Sequence, residues 1–327
     1  MVIPAIPGTM RTAAIDRFGP PAVLTPHTLP VPKVGPRDIL IEVHAAGVGV
    51  WDASIRDGSW RPTGRPKFPL VPGIDGAGIV VSRGPRARRF RLGERVYAYD
   101  YANRQNGFYA EYVAVSAELA APAPKRLNML EAGAAATTGL TALQGIDDVL
   151  RVRQHDTVLI FGASGAVGTI AVQFAKRRKA RVLATASGRA AASLVRSLGA
   201  DAVIDARRSE DIARLRTLAP NGIDAALVLA GGASAEACLR FVRAHGRVAH
   251  PNGVEPAPRH RSNIRVRAYD AKGGPKQFAQ LERAIVDAKL RVPIAAVYSL
   301  ARAAAAHARL ERGHVLGRIV LQVRRKT

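Results

Sequence analysis

Cysteine is all but missing from this chain: Cys238 stands alone among 327 residues. An internal disulfide is therefore excluded, and so is a zinc site built on several thiolates. Aromatic side chains make up only 5%, too few to interleave basic clusters with the stacking rings that grip exposed bases. Acids are short as well, 25 against 49 Lys and Arg, leaving a formal charge of +24. No apolar run approaches the roughly 20 residues that cross a bilayer. The opening M-V-I-P-A-I-P-G-T carries no charge-then-apolar secretory pattern. With a first strand expected near Arg11, Met10 reads as the native start. A lone thiol agrees with a reducing compartment, so these absences predict a cytoplasmic protein without membrane contact.

The positive charge does not define a nucleic-acid site. Arginine runs along the whole chain, with local density at Arg83, Arg86, Arg88, Arg89 and Arg91 and again at Arg259, Arg261, Arg265 and Arg267. Alanine is equally abundant, so a coding bias toward both residues is the simpler origin, and no specific nucleic-acid partner is expected. The field would still draw anionic ligands and promote adhesion to polyanions. At 48% hydrophobic, the chain has core-forming sequence for about two domains.

Chemistry is concentrated in Thr157 to Ser187, which reads as strand, glycine turn, helix, strand. Val158 to Phe161 is short and continuously apolar, the pattern of a parallel strand covered on both faces. The turn Gly162, Ala163, Ser164, Gly165, Ala166, Val167, Gly168 follows. At Gly165 the missing Cβ lets a diphosphate approach the backbone, and Gly168 lets the helix pack close to the strand. The helix N-terminus aims amide dipoles at that anion. Val167, Ile170, Ala171, Phe174 and Ala175 then recur at helical spacing, and Arg181 to Ala186 is the second strand of a βαβ unit. A dinucleotide is the expected ligand. The second strand ends in no acid that would bind a ribose 2′-hydroxyl; Ser187 and Arg189 instead suit a 2′-phosphate, which favours NADPH over NADH.

Around this unit the pattern predicts an α/β protein. Asp38–Ala46, Gly78–Ser82, Arg95–Tyr99 and Tyr109–Val115 read as strands, Ala120–Lys125 as a connector, and Ala132–Leu150 as a helix. Beyond Ser187 come helix 190–198, strand 202–205, helix 209–218, strand 223–230, helix 234–240 and strand 246–250, a doubly wound parallel sheet. A strand near Ile264–Ala268, a helix over Lys276–Leu290 and a strand over Gly317–Val323 complete the chain.

Six segments carry a family likeness: V-H-A-A-G-V-G-V-W-D-A-S-I-R-D-G from Val43, V-P-G-I-D-G-A-G-I-V from Val71, G-F-Y-A-E-Y-V-A-V from Gly107, A-T-T-G-L-T-A-L-Q from Ala136, the glycine turn, and H-V-L-G-R-I-V-L-Q-V from His314. Over Arg11 to Val323 the chain resembles the medium-chain dehydrogenase/reductase superfamily, and within it the zinc-independent quinone oxidoreductase branch. That resemblance implies a GroES-like β-rich domain from residues 1–122 and 293–327, a Rossmann NADP-binding domain from 123–292, a cofactor in the cleft, and a homodimer.

The zinc-dependent relatives hold catalytic zinc on a cysteine, a Gly-His-Glu histidine and a further cysteine. Here those positions read Gly49 and Gly73-Ile74-Asp75, and Cys238 lies too far along the chain. No metal is expected. Without a Lewis acid, an acceptor that is already electron-deficient is favoured, a quinone or an α,β-unsaturated carbonyl. By resemblance Thr138 lies near the nicotinamide; the alternative is that T-T-G only caps a helix. Asp52 falls at an acidic family position and is the candidate proton donor, with Tyr99, Tyr101 and Tyr109 as neighbours on adjoining strands. Gly49 replaces a frequent asparagine, implying a wider or differently polar substrate floor, and Ala206 replaces a frequent tyrosine after the third Rossmann strand. An enoyl or 2-alkenal reductase shares every cofactor motif. From another class, a non-catalytic NADPH-binding or polyanion-binding protein keeps the same fold.

Overall fold

The computed structural model describes residues 5–60, 67–102 and 107–324, so the first four residues of the opening stretch lie outside the described residues. The chain divides into two compact units: one is Met1–Thr137 with Gly273–Ala279 and Ile294–Thr327, the other Thr138–Lys272 with Gln280–Pro293.

In the first unit β1 (Thr9–Ala14) pairs antiparallel with β2 (Thr25–Pro30). The main strands are β3 (Asp38–Val48), β4 (Asp75–Arg83), β5 (Arg95–Tyr99), β6 (Tyr112–Ser116) and β7 (Ala120–Pro122). Helix α1 (Val50–Asp57) follows β3, and α2 (Met129–Gln144) follows β7. The sequence pattern misses α1, because two of the three residues it buries, Asp52 and Arg56 beside Ile55, are charged. Local chemistry makes it instead. The Asp52 carboxylate accepts the Gly49 N–H at 2.7 Å, and Gly58 closes the helix in the left-handed region at φ 81°.

The second unit is the predicted doubly wound sheet. Strands β8 (Thr157–Phe161), β9 (Arg181–Thr185), β10 (Ala202–Ile204), β11 (Ile223–Val228), β12 (Val242–Pro251) and β13 (Arg265–Tyr269) are all parallel, in the order β10-β9-β8-β11-β12-β13. The order reverses beside β8, where such folds bind ligands at the strands' carboxyl ends. Helices α3 (Ala166–Arg177), α4 (Arg189–Ser197), α5 (Ser209–Ala213), α6 (Leu215–Leu218), α7 (Ala233–Leu239) and α8 (Pro275–Asp287) alternate with or follow the strands. Leu159, Phe161, Leu183, Ile204, Ala226 and Val228 fill one buried face.

The chain then returns to the first unit through β14 (Ile294–Ser299), α9 (Ala303–Glu311) and β15 (Arg318–Gln322). β15 lies antiparallel to β3, completing a seven-stranded sheet ordered β14-β15-β3-β4-β5-β7, with β6 also on β3. Ile39, Ile41, Val43, Val80, Val113, Ile319 and Leu321 form its core.

Several expected boundaries are corrected. The connector at Ala120–Lys125 begins as β7, because Ala120 and Ala121 pair with Ala98 and Tyr97. The helix expected over Ala132–Leu150 stops at Gln144 and widens into a π turn over Gly145–Val149. Helix 209–218 is two short pieces.

Candidate functional site

Two constellations emerge, one in each unit. In the parallel-sheet unit the glycine turn is built for close approach. Gly162 sits at φ 82°, a region that β-carbons disfavour, and its N–H donates to Thr185 Oγ1 at 2.8 Å, tying the turn to β9. A Cβ on Gly168 would stand 2.3 Å from the Gly162 carbonyl oxygen, so only glycine lets α3 lie this near the strand. A Cβ on Gly165 would meet nothing nearer than that same oxygen at 3.5 Å, leaving the space above its backbone open. Ala163 and Gly168 are buried, whereas Ser164, Gly165, Ala166 and Val167 remain partly open. The first amides of α3 have no intrahelical acceptor, so the turn presents donors at the positive end of a helix dipole.

Beside it, Ser187 and Arg189 follow β9. The Ser187 hydroxyl donates to Asp205 Oδ1 at 2.9 Å, and Arg207 donates to both oxygens of the same carboxylate, at 3.0 and 2.7 Å. The Arg207 hydrogen bonds, more than any other contact, hold Asp205 well below the usual carboxylate range. Sequence reasoning looked for an acid at the end of β9 and found none; the acid is at the end of β10. The parallel register of Ile204 with Thr185 carries Asp205 alongside Ser187, and only that pairing could have revealed it. Arg189 opens α4, with no acid in the first turn to meet the helix dipole. Ala206, at the expected tyrosine position, is buried.

In the first unit a charged cluster lies under Gly49. Asp52 and Asp75 are wholly buried and Arg318 is 7% exposed. Arg318 donates to Asp75 Oδ1 at 2.8 Å, and the Thr137 amide donates to Asp75 Oδ2 at 3.1 Å. Asp52 accepts the Gly49 amide on one oxygen and the Ile74 amide, at 3.0 Å, on the other. Burial pushes the Asp52 carboxyl up to about 7, opposed by Arg318 and aided by Asp75. A Cβ on Gly49 would lie 2.7 Å from an Arg318 guanidinium nitrogen, so that guanidinium, ion-paired with Asp75, fills the room glycine leaves, which is differently polar rather than wider.

A buried chain of polar groups lies in the same unit. Arg56 donates to Glu311 at 2.7 Å and to His307 Nδ1 at 3.3 Å. Since a guanidinium only donates, His307 carries its proton on Nε2 and donates it to the Tyr109 hydroxyl at 3.0 Å. Burial, with Arg56 second, brings the imidazole down to about 3. Tyr109 is therefore tied to His307 inside the unit. Tyr99 is nearly buried, and Tyr101 is 49% exposed.

Thr138 lies within α2, and the T-T-G segment is helix interior rather than a cap; the Thr138 side chain is 1% exposed. Among the described residues no group of three or more His, Cys, Asp or Glu side chains is disposed to hold a metal. Gly49 and Ile74 offer no donor side chain, Arg318 occupies the neighbouring space, and Cys238 is buried in the other unit. The residues present do not fit a catalytic zinc.

Comparison with known proteins bears on both constellations. The pattern of the alcohol dehydrogenase GroES-like domain matches residues 35–125, and that of a zinc-binding dehydrogenase matches residues 198–321. Quinone oxidoreductase of Mus musculus is 30% identical over 245 residues, 73% of this chain and 72% of its own. The chloroplastic quinone oxidoreductase of Triphysaria versicolor is 29% identical across 96% of this chain and 98% of its own. Among solved structures, an NAD-dependent alcohol dehydrogenase superposes with a TM-score of 0.87 at 29% identity, over 96% of this chain and 100% of that one. A mycobacterial protein solved in complex with NADPH gives 0.84 at 28% identity, over 96% and 100%.

Proposed function

The chain belongs to the quinone oxidoreductase-like branch of the medium-chain dehydrogenase/reductase family, and from that premise we propose that it is an NADPH-dependent, zinc-independent reductase of quinones or similarly electron-deficient carbonyl compounds. One observation carries this reading. The floor that a zinc would occupy in metal-dependent relatives holds the Arg318–Asp75 pair and no donor set for a metal, while the glycine turn keeps an open, donor-lined cradle.

The amides of Ala166, Val167 and Gly168 would hold the diphosphate, with Gly162 to Ser164 shaping the turn. Ser187, Arg189 and Arg207 would hold the 2′-phosphate. A bound dihydronicotinamide would supply a hydride equivalent, and a quinone acceptor would need one further proton from solvent or protein to become a quinol. The chain's own task is orientation and exclusion of water. Asp52, its carboxyl raised to about 7 by burial, holds Gly49 and Ile74 in place through its two oxygens. Thr138 takes the position near the nicotinamide that the family resemblance gives it. Arg318, ion-paired with Asp75, closes the space beside Gly49. We further propose a cytoplasmic homodimer.

Calorimetric titration with NADPH and with NADH tests the reading. The expected result is saturable binding of both, tighter for NADPH; no saturable binding of either to folded protein would overturn it.

A further inference from the structure

Independently of the reductase reading, we propose that a pocket at the amino ends of the parallel strands binds a small phosphate monoester of sugar size. The pocket encloses about 320 Å³ between His155, Thr157, Arg181, Asn221, Asp224 and Arg243, with the turn over 219–222 as one wall.

Its place in the fold separates it from the dinucleotide cradle. Thr157 opens β8, Arg181 opens β9, and Asp224 and Arg243 are the second residues of β11 and β12. These strands are all parallel, so the four residues share the edge of the sheet opposite the glycine turn. Thr157 and Gly162 are separated by the whole of β8, roughly 16 Å at 3.3 Å per residue. An occupant of one end leaves the other open.

The polar groups of the lining are matched unequally. Asp224 is its one acid, and both carboxylate oxygens are occupied: Oδ1 accepts Arg243 Nε at 2.6 Å, and Oδ2 accepts the Thr157 amide at 2.8 Å. The cations keep donors to spare. Arg181 donates from Nη1 to the Leu218 carbonyl and, among the described residues, pairs with no carboxylate. The Gln154 amide nitrogen, which can only donate, meets His155 Nε2 at 2.9 Å, so the neutral imidazole carries its proton on Nδ1 and adds another donor. The turn that walls the pocket is fixed as well. The Gly222 amide donates to the Ala219 carbonyl at 2.9 Å, and a Cβ on Gly222 would stand 2.7 Å from Arg243 Cβ, so glycine brings the turn tight against the arginine stem.

A site with free guanidinium donors and no free carboxylate takes an oxyanion. Guanidinium forks match phosphate geometry, and a phosphate monoester carries nearly two charges at pH 7. Volume sets the rest of the molecule: about 320 Å³ lies at the low end of small-molecule sites, which span roughly 300 to 1,000 Å³. That is room for a sugar phosphate and not for a dinucleotide. The Asn221 amide and the Thr157 hydroxyl are both donor and acceptor, the chemistry that hydroxyl groups require.

Calorimetric titration of the full chain with glucose 6-phosphate tests the site, with and without saturating NADPH and with glucose as the uncharged control. Salt at about 0.15 M shortens the Debye length to about 8 Å, so diffuse attraction by the charge of +24 is screened. One ligand per chain should bind saturably, equally in both cofactor states, and glucose should not bind. Arg181→Gln, an exposed change that strands no carboxylate, should weaken glucose 6-phosphate at least about tenfold, or about 1.4 kcal/mol, with melting close to the wild type. Asn221→Asp, in the exposed turn, should weaken it similarly by repulsion. Binding that never saturates, equal binding of glucose, competition by NADPH, or an affinity indifferent to both substitutions would overturn the site. Failure of NADPH to bind defeats the reductase reading alone, and the two variants still decide the pocket.

Discussion

Asp205 is the residue that most changes how this chain should treat its cofactor. A free carboxylate beside Ser187 would repel a 2′-phosphate and welcome a ribose hydroxyl, but Arg207 neutralises it from both oxygens. On the proposed reading, cofactor preference depends on that pairing as much as on Arg189. Arg189→Ala should weaken NADPH roughly five- to thirtyfold with little change for NADH. Arg207→Ala should go further, because it removes a cation and releases Asp205: NADPH affinity falls and NADH affinity rises, both read by titration. A parallel loss for both cofactors would contradict the assignment. His307 sets a second residue-scale expectation. Its folded pKa of about 3 lies below the ordinary imidazole value of 6.5, so the unfolded chain takes up a proton first as pH falls. Stability is present above about 6.5 and drains away toward 3, at up to about 1.4 kcal/mol per pH unit. Asp52, raised to about 7, acts in the opposite sense: its stabilisation is full below the ordinary carboxylate range and is lost as pH rises through 7. Comparison with His307→Gln isolates the histidine. Between pH 7 and 5 the wild type should lose about 2 kcal/mol more than the variant in urea unfolding; parallel curves would show that the imidazole is not held neutral.

At the scale of elements, the glycine turn makes the sharpest forecast. Gly165 has ordinary backbone angles as the N-cap of α3, with open space where a Cβ would go. Gly165→Val should therefore melt close to the wild type while NADPH affinity falls at least about a hundredfold. Gly168→Val is the contrasting case, since its Cβ meets backbone at 2.3 Å and folding itself should suffer. The turn and the whole parallel sheet were legible in sequence because a strand buried on both faces is a short apolar run, and its helices repeat at 3.6 residues. Elements made by local polar chemistry were not. α1 depends on Asp52 reaching back to Gly49, and α9, A-A-A-A-H-A-R-L-E, has too many alanines to mark a face. The site divided along the same line. Residues close in sequence, such as the turn, could be read; Arg318 with Asp75, Tyr109 with His307 and Ser187 with Asp205 meet only through strand register or chain return.

At the scale of the whole molecule, much of the arginine excess is structural. Arg83 and Arg89 donate to backbone carbonyls at Arg88, Phe90, Ala117 and Ala120, and Arg261 pairs with Glu236. The net charge of +24 then acts mainly as a diffuse field that gathers anionic ligands and is screened within about 10 Å at 0.1 M salt. In the proposed reading, function comes from the two constellations, without metal. The most direct measurement is NADPH oxidation, followed by absorbance with 1,4-naphthoquinone as acceptor, on protein exhaustively treated with a chelator and shown by elemental analysis to be zinc-free. The account predicts turnover that saturates in both substrates, is undiminished by the chelator, and is more efficient with NADPH than with NADH. Activity lost on chelation and restored by zinc, or an association with NADPH that never saturates and vanishes with salt as polyanion adhesion does, would contradict it.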